Sequence, residues 1–278
     1  MPLLSPSLKT KTHADAAVVS ERLQKALANA GLGARRAMEA AIKDNKVRVN
    51  GKVAEIGSSV GTGDRVQFAG RTFEAKNTRI SARTLVYNKP EGEITSRNDP
   101  QGRKTVFERL PQLRNARWIA IGRLDINTTG LLLLTTDGEL AHQMMHPSSG
   151  VDREYACRIH GRATDEQLSR LRKGVKLEDG LARFSDIQPA GHSGENSWYH
   201  VVITEGRNRE VRRLWASQGL QVSRLKRVRY GAAFLPKRMR TGEFKELSPR
   251  DHQVLREDAG LPATANQMIL REIKKGRG

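Results

Sequence analysis

One cysteine, Cys157, is all that the 278 residues contain. That excludes an internal disulfide framework and any thiolate metal cluster, and it fits a reducing compartment. Long apolar runs are missing too: no stretch approaches the roughly 18 residues of a membrane span, and the opening MPLLSPSLKTKTH has no secretory apolar core. That opening carries no acid before Asp15, a composition shared with transit peptides; we read residues 1–19 as a flexible leader. Nucleotide signatures are also absent. The glycine-rich GSSVGTGD (57–64) lacks the Lys-Ser/Thr ending of a P-loop, and no dinucleotide fingerprint falls between a strand and a helix, so no cofactor is implied. His142 and His146 stand one helical turn apart, but residue 143 is Gln where the zincin pattern has its Glu base, so helix packing is the better reading than metal.

Acid is in deficit: 49 Lys+Arg face 30 Asp+Glu, for a formal charge of +19. A field of that sign attracts polyanions. No broad amphipathic face or lipidation signal favours a membrane surface, which leaves nucleic acid as the partner. Basic residues also crowd segments that read as folded, such as RLKRVRYG (224–231). With 37% hydrophobic and 28% charged residues the chain has a globular composition, and its length allows one large domain plus a small one.

Four parts are expected: the leader, a small module and linker over 20–80, a large body over 81–255, and a mobile basic tail over 256–278. Ser20 is placed to cap a helix with apolar positions Leu23, Ala26, Leu27 and Ala30, closed by Gly31. A second helix fits 34–45 and carries Arg35 and Arg36 in its first turn, where cations oppose the helix dipole and a binding role would explain them. Asn50-Gly51 between two β-prone runs marks a hairpin beside Lys52. A polar stretch without period, 74–84, reads as linker. In the body, strands and helices do not alternate as regular βαβ units, so the class is α+β with a mixed, mainly antiparallel sheet.

Within GRLDINTTGLLLLTTDG (122–138), Asp125 follows an apolar strand, sits between Arg123 and Asn127, and precedes Gly130 and a buried strand. A carboxylate held in a tight loop at a strand edge can be aimed by rigid neighbours. Ionised, it can attack a sugar C1′ or take a proton. Glycoside hydrolysis ordinarily needs a second carboxylate, and none is evident. The surface-cap reading of a lone loop Asp stands beside this one.

The stretch GRLDINTTGLLLLTTDGELAHQMMHP resembles the catalytic motif of the bacterial ribosomal pseudouridine synthases of the RsuA/RluB type. YNKPEGEITS (87–96), REYACRIHG (153–161) and EGRNREVRRLWASQGLQVSRLKRVRYG (205–231) are similar to that family's other motifs, and the last is closest to its large-subunit branch. The first module is similar to the αL-type RNA-binding domain of a small-subunit ribosomal protein. The resemblance implies a two-lobed sheet domain with Asp125 as the catalytic carboxylate in the cleft, Tyr155 stacking on the target base, and Arg212 pairing with the Asp. It also implies uridine isomerisation in large-subunit (23S) ribosomal RNA with no cofactor; the single cysteine points to the cytoplasm, and nothing in the sequence demands more than a monomer. Arg35, Arg36 and Lys52, with Lys89 and Arg123 near the cleft, are the expected RNA contacts. Three rivals remain: an enzyme for small-subunit RNA or another site, a non-catalytic ribosome assembly factor, and a DNA-binding regulator.

Overall fold

A computed structural model describes residues 20–79, 82–113, 116–263 and 266–273. The leader 1–19 and residues 274–278 lie outside the described residues. The described residues divide into two compact units, one built from 83–110 and 119–263, the other from 20–79, 82, 111–113, 116–118 and 266–273.

In the smaller unit, helices Leu23–Asn29 and Arg35–Lys43 lie beside a sheet whose strands include Val47–Val49, Lys52–Val53, Arg65–Phe68 and Arg71–Arg79. Its core gathers Leu23, Leu27, Ile42, Val66, Phe73 and Met268. The hairpin forms as expected, with Asn50 and Gly51 at φ 52° and 81°. Ser20 does not cap the first helix. Glu21 and Arg22 pair instead with Val60 and Ser59, so the helix starts later and Arg22 stands at its N-cap without a side-chain capping bond.

Two further expectations fail here for one reason. The linker 74–84 is, through Arg79, part of a nine-residue strand, and the tail from Arg256 contains the end of a helix, Pro249–Asp258, and a strand, Asn266–Glu272. That last strand pairs antiparallel with Arg71–Arg79, in a register running from Asn266 opposite Arg79 to Glu272 opposite Phe73. Polar stretches without local period become strands when each supplies the other's hydrogen bonds across the chain.

The larger unit holds a sheet of nine strands among the described residues. In chain order they are β1 (Thr84–Lys89), β2 (Ile119–Ile121), β3 (Thr129–Thr135), β4 (Arg153–His160), β5 (Asp186–Ser193), β6 (Asn196–Ile203), β7 (Val222–Tyr230), β8 (Ala233–Phe234) and β9 (Phe244–Glu246). They lie in the order β5-β6-β4-β7-β3-β1-β9, with β8 on β7 and β2 on β3. All pairings are antiparallel except β7 with β3, which joins the two halves of the sheet through only two register pairs, Lys226 with Thr129 and Arg227 with Gly130. Gly130 is required there. Its φ is +98°, and a Cβ would lie 2.3 Å from the Arg227 carbonyl oxygen, so only a residue without a side chain lets the strands approach.

Leu131 to Leu134 are fully buried, as a strand covered on both faces must be. Leu131 and Leu133 pack with Val86, Ile121, Leu140 and Leu255. Four helices flank the sheet among the described residues: α1 (Gly138–Met145), α2 (Asp165–Lys173), α3 (Glu210–Ala216) and α4 (Pro249–Asp258). No helix of the described residues is long and apolar enough to cross a membrane.

Candidate active site

A cavity of about 790 Å³ opens over the junction of the two sheet halves. Gly122, Arg123, Asp125 and Thr128 line it from the β2–β3 loop, and Tyr155 and Arg227 line it from β4 and β7.

Five consecutive carbonyls of that loop, 124 to 128, each accept a hydrogen bond. Thr95 Oγ1 donates to Leu124 O at 3.1 Å, the Thr128 N–H to Asp125 O at 3.0 Å, and the Gly92 N–H to Ile126 O at 2.9 Å. Arg212 Nη2 donates to Asn127 O at 3.0 Å, and Lys89 Nζ to Thr128 O at 3.0 Å. With each of these acceptors tied to a different partner, the backbone under Asp125 has little freedom.

Asp125 keeps a side-chain exposure of 24%, with Oδ2 at 3.8 Å from Arg209 Nη1. Arg209 is the cation that meets it. Arg212, expected in that role, has its guanidinium committed to two backbone carbonyls, Val222 O at 2.8 Å and Asn127 O, and makes no ion pair with Asp125. The reason is helical geometry. Arg209 is the N-cap residue of α3 at the cavity edge, whereas Arg212 lies nearly one turn further along, behind the loop. Burial lowers the Arg212 pKa, with Arg209 adding to the drop and Asp125 opposing it.

Lys89, an expected RNA contact, is turned inward in the structure. It is fully buried, and its ammonium donates to Pro90 O at 2.8 Å and to Thr128 O. Burial pulls its pKa down to about 8 against the opposing charges of Glu93, Asp125 and Glu91. Its neighbour Tyr87 donates to Glu93 at 2.5 Å, and burial pushes that phenol up. Arg123 is exposed at the cavity, while Arg35, Arg36 and Lys52 are exposed on the smaller unit.

Tyr155 is 8% exposed and stands directly opposite Arg227 in the β4–β7 pairing. A bulge next to it, where Glu154 faces Arg229 and Tyr155 faces Arg227, skips Val228 and keeps Arg227 and Tyr230 both inward. The Tyr230 ring takes the guanidinium carbons of Arg153 at 4.7 Å and Arg227 at 4.8 Å. Cys157 is fully buried, which pushes its thiol up to about 12 and makes it unreactive. The rings of His142 and His146 meet edge to face, 5.6 Å apart, and no group of three or more metal-binding side chains forms among the described residues.

Arg209, Arg153 and Arg227 were not singled out from the sequence. The run RLKRVRYG drew notice only for its charge; strand alternation would have turned Leu225 and Arg227 inward together, but the bulge disguises the period after that point.

Residues 83–217 match the family model described as RNA pseudouridylate synthase, and residues 21–66 match the S4 domain. A crystal structure of a pseudouridylate synthase aligns with a TM-score of 0.59 at 25% identity, over 85% of this chain and all of that one. The chain belongs to the RNA pseudouridylate synthase family. Among curated relatives, proteins named ribosomal large subunit pseudouridine synthase B are 55% identical over 255 residues in Xylella fastidiosa, covering 90% of this chain and 54% of that protein. The relative of that name from Pasteurella multocida is 50% identical over 92% of this chain and 77% of its own length, and that from Vibrio cholerae 54% identical over 86% and 75%. The chain spans about half the length of the first of these relatives.

Proposed function

We propose that this chain converts uridine to pseudouridine at a specific site in large-subunit ribosomal RNA, in the cytoplasm and as a monomer, with Asp125 as the reacting carboxylate. The observation that carries this reading is the pinned loop, which presents one carboxylate to a cavity walled by Tyr155 and by arginines. The reaction is an isomerisation: the C1′–N1 bond breaks, the uracil turns within the cavity, and C5 joins C1′ while its proton leaves and N1 gains one. Neither hydride nor phosphate moves, so no cofactor is called for. One carboxylate suffices because uracil itself takes the electron pair and stays in place.

The target base must leave its stack, at a cost of a few kcal/mol that an aromatic partner such as Tyr155 offsets. Arg209 pairs with Asp125, and Arg212 and Lys89 hold the loop beneath it. Arg123 at the cavity, and Arg35, Arg36 and Lys52 on the smaller unit, take the phosphates. To test the substrate, ribosomal RNA of both subunits is incubated with the protein and pseudouridines are mapped by carbodiimide adducts that stop reverse transcription. A single new stop in large-subunit RNA is expected. A stop confined to small-subunit RNA reassigns the substrate, and binding without any stop favours an assembly factor.

A further inference from the structure

Among the described residues two buried arginines that line the cavity, Arg153 and Arg227, have no carboxylate partner; Arg153 spends its guanidinium on backbone carbonyls and the Tyr230 hydroxyl, whereas Arg227 keeps a donor unused. It is 2% exposed, its Nε donates to Leu131 O at 2.8 Å, and its Nη2 has no hydrogen-bond partner. No carboxylate forms an ion pair with it among the described residues; the Tyr230 face at 4.8 Å is the only other group set against the cation. A buried guanidinium with free donors is costly to keep, and a ring face offsets only part of that cost. The missing negative charge has to arrive with what enters the cavity.

Its position says which part of the substrate that is. Arg227 and Tyr155 are directly opposed on antiparallel strands, so their side chains leave the sheet on one face, about 5 Å apart at the Cβ atoms. Whatever base lies against Tyr155 has its edge beside the guanidinium. A phosphate, by contrast, is met at the exposed rim, where Arg123 stands. Resting on the function proposed above, we propose that Arg227 donates to a carbonyl oxygen of the target uracil and stabilises the negative charge that develops there when the C1′–N1 bond breaks. The bonding pair leaves C1′ for N1 and spreads onto O2 and O4, next to a cation already fixed and dry, which is where preorganised charge acts most strongly. When C5 attacks C1′ the charge returns to the new bond, and the C5 proton lost balances the proton taken up at N1.

The test is single-turnover conversion of a large-subunit RNA fragment by wild type, Arg227→Gln and Arg227→Ala, with RNA affinity and Tm measured on each. Arg227→Gln keeps a hydrogen-bonding side chain of similar length without the charge, which guards against a variant that fails to fold. We expect both variants to bind RNA as wild type does and to convert it about 100-fold more slowly. Guanidinium at millimolar concentration, but not sodium chloride at equal ionic strength, restores part of the rate to Arg227→Ala. An active wild type with a folded, equally fast Arg227→Gln overturns the role alone. So does a loss that vanishes when the phosphate 5′ of the target is replaced by a neutral methylphosphonate, because then the phosphate is what Arg227 holds. A wild type that converts no uridine overturns the function, and this role with it.

Discussion

Arg209 occupies φ 48° and ψ 30°, left-handed backbone that an L-residue enters at a cost of about 1 kcal/mol. Glycine would sit there without strain, so the side chain is what the position keeps, and that side chain reaches Asp125. Arg209→Gly is expected to leave Tm unchanged or raise it slightly while kcat/KM falls about tenfold; unchanged kcat/KM would show that the ion pair is idle. Lys89 invites the opposite outcome. Lys89→Met strips the donors from Pro90 O and Thr128 O and is expected to cost about 1–3 kcal/mol in urea unfolding, with activity falling as the loop loosens. Intact stability with weaker RNA binding would return Lys89 to the phosphate role that its place beside Pro90 first indicated. The sequence could not show this, because a lysine at a turn looks exposed until the strand before it is known to be buried throughout.

At the scale of elements, α1 depends on one carboxylate. Asp137 caps it by accepting from the Glu139 and Leu140 N–H groups at 3.0 Å, and it also meets the Arg256 guanidinium and His252 of α4. Burial pushes its pKa up, but His252, Arg256 and the Leu140 N–H outweigh that and hold it at about 2. A carboxyl depressed in the folded state stabilises above its unfolded pKa and loses that contribution as pH falls through the folded one. Asp137 is therefore expected to supply about 2 kcal/mol above pH 4 that disappears toward pH 2. Urea unfolding across that window checks it: the wild type should lose this increment and Asp137→Asn should not, and parallel losses would contradict the assignment. Elements defined by local signals were legible, among them the Asn50-Gly51 hairpin, the leucine strand and the α1 helix. Those defined by distant partners were not, since nothing within 74–84 or beyond 256 announces that the two stretches pair with each other.

At the scale of the whole molecule, +19 of charge points to a polyanion as the partner. The mixed sheet and the loop position of Asp125 between two of its strands were readable too, because that loop is written in contiguous residues. What surrounds Asp125 was not: Thr95, Gly92, Lys89 and Arg212 converge on its loop from segments scattered over more than a hundred residues, and Arg227, from further still, lines the same cavity. Under the function proposed above, this convergence aims one reacting carboxylate. That role is tested by incubating large-subunit ribosomal RNA, tritiated at uridine C5, with wild type and with Asp125→Asn and no added cofactor. Tritium release is expected from wild type and none above background from a folded, RNA-binding Asp125→Asn; equal release by both, or none by either despite tight binding, would contradict a reacting Asp125.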